Sequence, residues 1–280
     1  MLAIALPDDD AGLVFAACAT RTQNAAKRTA LLAQRPHVED RAEQYLEHAV
    51  AGTLHEFDPV EPDGIEAAEL SGLYGRVLVK GGERPLYLRL RGRSRYNRCP
   101  LCGQRDVKSL DHYLSKDDYP ELAVFAANLT PSCFECNHAK LNFRAELPTD
   151  RLFHPYFDDW SGHRLIRAMI NVGARVTTSF TTRVPAGVDP VIVQRAQKHF
   201  VELNLAELYE QHAAVELVER KDMFRGIFAS DGAEGLRDEL EHEARSRRRF
   251  NRNSWQSALY RALSQNEDFY SGGFEHIDEP

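Results

Sequence analysis

No stretch of the 280-residue sequence approaches the roughly 18 consecutive apolar residues that a membrane helix needs, so a spanning segment is not expected. The opening MLAIALPDDD lacks a basic n-region, and Pro7 with three aspartates cuts its apolar run short, which argues against a secretory signal. Internal repeats and low-complexity tracts are also missing, which removes solenoids and flexible arrays from consideration. Cysteine is scarce: there are five, and four of them fall in two CxxC pairs. In a reducing compartment that distribution favours metal binding over disulfides. The expectation is a cytoplasmic protein, and 43% apolar with 28% charged residues is the composition of an ordinary globular one.

Excess positive charge is missing too, since the formal net charge is −7. The average hides a local excess. Between Arg84 and Lys108 stand eight cations (Arg84, Arg89, Arg91, Arg93, Arg95, Arg98, Arg105 and Lys108) against the single acid Asp106. This run abuts the first cysteine pair, so Arg95 and Arg98 are candidates for phosphate contact. A second cluster, Arg245, Arg247, Arg248, Arg249 and Arg252, lies beside Glu239, Glu241 and Glu243, which can neutralise part of it.

What is present reads as α+β. Three- and four-residue apolar spacing predicts helices over Leu13–Leu32, Val38–Leu54 and Gly64–Lys80. Alternation in RLIRAMINV and RVTTSFTT, flanking Gly173-Ala174, predicts a β-hairpin over Arg164–Val184. Asp189-Pro190 opens a helical tail to about Ser264, interrupted by SDG at 230–232 and by RFNRNS. The division expected is a helical N-terminal region (1–95), a small metal-centred core (96–160), and a hairpin with a helical C-terminal region (161–280).

Cys99-x2-Cys102 and Cys133-x2-Cys136 offer four soft thiolates, and each two-residue spacer lets a tight knuckle aim both sulfurs at one ion. A four-cysteine Zn²⁺ site follows, and being coordinatively closed it is structural. Any chemistry must therefore sit elsewhere. The 30 residues between the pairs exceed a usual zinc-ribbon loop and hold the strand-like Leu110-Asp111-His112-Tyr113. Asp111 and His112 should point to opposite sides of that strand. Asn137, directly after Cys136, should begin a short helix through Lys140. By tying the two knuckles together, zinc would fix Asn137 relative to the Asp111 strand. Cys18 stands alone in a helical pattern and reads as a buried inert thiol.

The order of these elements (CxxC, LDHYLSK, NL, CxxCN, K, between Cys99 and Lys140) resembles the HNH endonucleases, in particular their four-cysteine, endonuclease VII-like group. The resemblance implies a ββα-metal core and hydrolysis of phosphodiester bonds in DNA. Carried onto this sequence, it makes His112 the general base and gives a catalytic divalent ion, Mg²⁺ or Mn²⁺, to Asp111 and Asn137. Asn128 would brace the loop that orients the histidine, and Lys140 would contact phosphate. Ser115 stands where related sequences often carry proline. His154 reads as structural and His138 as solvent-facing. The flanking segments LSGLYGRVL, FHPYFDDW and WQSALYRAL are similar to HNH nuclease subunits of bacterial anti-phage systems of the Septu type, which implies an ATPase partner that regulates the nuclease. Two other readings stay open: a catalytically silent, zinc-stabilised binding module, and a redox protein using its CxxC thiols. The second lacks any thioredoxin-like βαβ pattern.

Overall fold

Helix starts and stops along the first half of the chain are written in its polar residues. In the computed structural model, which describes residues 1–279, Asp10 caps α1 (Ala11–Thr20) by accepting from Leu13 N at 2.7 Å. Asn24 then opens α2 (Ala25–Ala33), accepting from Lys27 N at 3.0 Å. The single helix read over Leu13–Leu32 is thus two, because the Asn24 side chain competes for the backbone at that point. Pro36 sits in the first turn of α3 (Arg35–Ala51), and Gly52, at φ 75°, closes it in the left-handed conformation. The helix expected from Gly64 begins later, as α4 (Ala67–Leu73), and runs on into a π-helical turn over Tyr74–Val79. Inside the arginine run lies α5 (Arg84–Arg91), which buries Tyr87 and Leu90.

Against these helices packs a short antiparallel pair, β1 (Ser109–His112) with β2 (Leu129–Ser132), followed directly by α6 (Phe134–Lys140). The register sets Ser109 opposite Ser132, Asp111 opposite Thr130 and His112 opposite Leu129. Leu110 and Leu129 drive the pair into one apolar cluster with Phe15, Leu73, Leu78 and Leu90. A second cluster, built on Tyr45, Phe57, Tyr119, Leu122 and Phe125, seats the loop between the strands. Each large side chain buried this way contributes roughly 1.5–3 kcal/mol, so the short pair is held by its two apolar beds more than by its few ladder hydrogen bonds.

The chain divides into two units, one spanning Leu2–Asp159 and the other running from Trp160. The second unit contains the hairpin of β3 (Ile166–Val172) and β4 (Val176–Thr182), followed by α7 (Pro190–Glu202), α8 (Leu205–Phe250), α9 (Trp255–Ser264) and α10 (Glu267–Tyr270). At SDG the chain stays in α8 but kinks, with Gly232 at φ 70°. The elbow between α8 and α9 is tied to the hairpin by buried Asn253, which accepts from Leu165 N at 2.8 Å and donates to Trp160 O at 3.0 Å. The whole is α+β, with helices and two small antiparallel sheets. Among the described residues, no helix is long and apolar enough to cross a membrane.

Candidate metal centre and active site

Two tight turns bring the cysteines together. Cys99 N donates to Arg105 O at 2.8 Å and Gly103 N to Cys99 O at 2.7 Å, with Gly103 at φ 69°, where a side chain would be strained. Arg105 N points at Cys102 Sγ at 3.4 Å. In the second knuckle Cys133 caps α6, and Cys136 N points at its sulfur, also at 3.4 Å. All four Sγ atoms lie within 4.8 Å of one another and all four residues are buried. Tetrahedral Zn²⁺ with Zn–S bonds of about 2.3 Å sets its sulfurs roughly 3.8 Å apart, so the cluster fits that ion. The four sulfurs are close enough to share one cation, and a cation bound there would displace the thiol protons. Cys18, in contrast, is a buried thiol that desolvation pushes up to about 12, outside the range of a reactive thiolate.

Ser132 joins the cluster to β1, since Lys108 N donates to Ser132 O at 2.9 Å. One turn into α6, Asn137 Nδ2 donates to Ser109 Oγ at 3.0 Å, which leaves Oδ1 as the free end of its amide. Asp111 and His112 project to different partners, as neighbours on a strand must.

His112 is 9% exposed, and its ring lies edge-on to Tyr74, centroids 4.4 Å apart, while the Tyr74 hydroxyl donates to Leu110 O at 2.9 Å. His112 Nε2 is 2.8 Å from Ala123 O. Burial pulls the imidazole down to about 4, against the raising effect of that carbonyl, so the ring is neutral at physiological pH. A carbonyl only accepts, so Nε2 carries the proton and Nδ1 carries the lone pair. Nδ1 has no hydrogen-bond partner among the described residues and is not sealed from solvent.

The loop carrying Ala123 is itself braced. Asn128, fully buried, accepts from Leu114 N at 2.8 Å and donates to Leu114 O at 3.0 Å and Leu122 O at 3.4 Å. Below it, buried Glu121 receives Arg41 Nε at 3.0 Å, and the Arg41 guanidinium lies 3.9 Å over the Phe57 ring. Ser115, at the proline position, donates to Asn142 Oδ1 at 3.1 Å and accepts from Asp117 N at 3.2 Å.

Lys140 departs from expectation. Its side chain is 3% exposed, and its ammonium sits 3.2 Å from Asp111 Oδ2, 3.3 Å from Oδ1 and against His112 O. The cation expected at phosphate is one half of a buried ion pair. Burial raises the Asp111 carboxyl above its usual range, and Lys140 opposes that rise. His154 is structural, with Nε2 2.8 Å from the Tyr45 hydroxyl and its ring 4.0 Å from that of Tyr113. His138, in the last turn of α6, is exposed.

The arginine run is mostly tied down within its own unit. Arg89 pairs with Asp9, Arg93 donates to Ala5 O and Leu6 O, and Arg98 binds Asp106 at 3.0 Å and Gln104 O at 2.8 Å. Arg95 lies 4.9 Å from the neighbouring Tyr96 ring and is solvent-exposed. Sequence reasoning missed Tyr74, Ser109 and Ala123 as partners of the site. Tyr74 lies within the helical pattern read over Gly64–Lys80, which names no partner for it, and a backbone carbonyl leaves no residue-type signal.

Fold and site together define an α+β protein with a buried four-cysteine cluster fitted to zinc. No protein-family model and no solved structure matches the chain. It is similar to protein ea31 of Escherichia phage lambda, 27% identical over 213 residues that cover 71% of this chain and 67% of that protein.

Proposed function

We propose that the chain is a metal-dependent endonuclease of the HNH type, hydrolysing phosphodiester bonds in DNA. The observation that carries this reading is the setting of His112: its Nε2–H is committed to Ala123 O and its Nδ1 lone pair is unpartnered. That is how a general base must be presented. The succession of β1, β2 and α6 around a zinc-type cluster supports the ββα-metal assignment.

In the proposed reaction Nδ1 takes a proton from the attacking water, and the Nε2–H bond to Ala123 O stabilises the imidazolium that results. The low intrinsic basicity of a buried imidazole rises when a phosphate anion comes to lie beside it. Asp111 and Asn137 Oδ1 are hard oxygen donors of the kind Mg²⁺ or Mn²⁺ takes, and they would hold the ion. Such an ion supplies charge stabilisation to the phosphate and the leaving oxygen. Tyr74 and Asn128 act as positioning residues, one through the ring of His112 and the other through the loop. The proposed setting, an anti-phage effector regulated by an ATPase partner, rests on the flanking motifs.

One observation favours a second reading, the silent zinc-stabilised binding module: Lys140 already neutralises Asp111. Plasmid cleavage by the full chain, with and without Mg²⁺ or Mn²⁺, separates the two. The nuclease reading expects nicking that His112→Ala abolishes while zinc content and circular dichroism stay those of the parent. Equal cutting by His112→Ala sinks the mechanism, and no cutting by the parent under any of these conditions leaves the binding module.

A further inference from the structure

A groove of about 670 Å³ opens in the C-terminal unit between the hairpin and α9. Five arginines line it: Arg164 before β3, Arg167 on it, Arg183 after β4, Arg252 at the α8–α9 elbow and Arg261 on α9. No carboxylate does. Its polar partners are few, since Arg252 donates to Gly162 O and Arg261 Nε lies 3.4 Å from Gln265 Oε1. Arg164, Arg167 and Arg183 have no side-chain partner among the described residues. A smaller groove of about 280 Å³ shares Arg164 and Arg261 and adds Arg245 and Arg248. Its one acid, Glu241, is occupied by Arg245 at 3.4 Å.

This arrangement is unfavourable for a protein alone. Guanidiniums gathered around one groove repel each other, and neither an internal acid nor a buried packing role compensates. Three other arginines of the same unit are matched: Arg225 holds Glu275 at 2.7 Å, Arg237 holds Asp238 at 3.1 Å and Arg175 faces Asp278 at 3.4 Å. In a chain with net charge −7, an acid-free groove lined by arginines favours an external polyanion.

We infer that this groove binds the phosphate backbone of duplex DNA. Arginine forks spread along a groove match repeated phosphates. A single strand or a free nucleotide would call for an aromatic stacking surface, and no aromatic residue lines either groove. Contacts of this kind position a duplex without reading its sequence. The ligand class is that of the cleavage reading, but the residues are not, and binding measures them without catalysis.

The test is fluorescence anisotropy of the full chain, without added divalent ion, on a labelled duplex of about 20 base pairs across salt from about 0.05 to 0.3 M. Replacing Arg164, Arg167 and Arg183 together by Gln should lower the slope of log K against log salt by about 3 and weaken binding near 0.1 M salt at least about tenfold. The triple Lys variant should keep the slope, because each contact is chiefly charge. The matched triple Arg175, Arg225 and Arg237→Gln should bind like the parent. Parental affinity and slope in the groove variant overturn the inference, and so does tighter parental binding to a single-stranded oligomer or to polyglutamate. Loss of plasmid cleavage bears on His112 and leaves this binding result standing.

Discussion

Asn128 connects the loop to the histidine, and its amide can be tested one atom at a time. Asn128→Ala removes the acceptor for Leu114 N and the donor for Leu114 O, both in a buried segment. At about 1–3 kcal/mol for each orphaned group, a loss near 3 kcal/mol is expected, or roughly 6–12 °C in Tm. Asn128→Asp is the sharper probe, because it keeps the acceptor and changes only the donor. Its second oxygen would face Leu114 O and Leu122 O, where Nδ2 now lies at 3.0 and 3.4 Å. Two carbonyls cannot donate, so the new carboxyl must hold its proton when folded. Keeping a group of ordinary pKa near 3.9 protonated at pH 7 costs about 4 kcal/mol, falling by about 1.4 for each pH unit lower. The folded pKa is raised above the unfolded one, so stability is full at low pH and is lost as pH rises. Urea unfolding of parent and variant between about pH 5 and 7.5 reads the gap, and amide exchange at Leu114 localises it. A gap that does not change with pH, or a variant as stable as the parent at pH 7, would refute the assignment of donor and acceptor.

His112 should titrate near 4 by NMR, against about 6.5 for an exposed imidazole, so the acidic limb of any cleavage profile should lie well below neutrality. The sign is that of a base: activity persists above the folded pKa and is lost as pH falls through it. A limb near 6.5 in the free enzyme would contradict the burial described. Zinc should be present at one ion per chain by elemental analysis, and Cys136→Ser should lose it together with thermal stability; a metal-free variant that melts with the parent would make the cluster dispensable.

Ligand spacing made the cysteine cluster legible, because two CxxC pairs encode their geometry locally. Motif order singled out Asp111, His112 and Asn137, and it carried nothing of their surroundings. Lys140 was expected at phosphate, and only the packing of α6 on β1 turns it toward Asp111. Helix α5 was hidden because the run from Arg84 was read for charge, although Leu86, Tyr87 and Leu90 carry a helical apolar face within it. Asn24 was a readable cap, and overlooking it merged α1 with α2. The hydrogen bond from Tyr74 to Leu110 O spans 36 positions, and local pattern cannot report it. The C-terminal arginines were weighed by sequence neighbours alone. Glu241 and Glu243 do pair with Arg245 and Arg247, but the groove recruits Arg164, Arg167 and Arg183 from a hairpin far away in sequence.

The β1–β2 ladder is only four residues long, which is short enough to slip during folding. A slip of one residue would exchange the faces of Asp111 and His112. At one end the ladder runs into Cys133 beside Ser132, and at the other Tyr113 N meets Asn128 O at 2.8 Å. A misaligned strand would carry Cys133 and Cys136 about 3.3 Å along its axis, and the four sulfurs could no longer converge. Metal capture would thereby proofread the pairing: a chain that has aligned its strands wrongly has no complete thiol cage, and a bound ion would lock only the correctly aligned one.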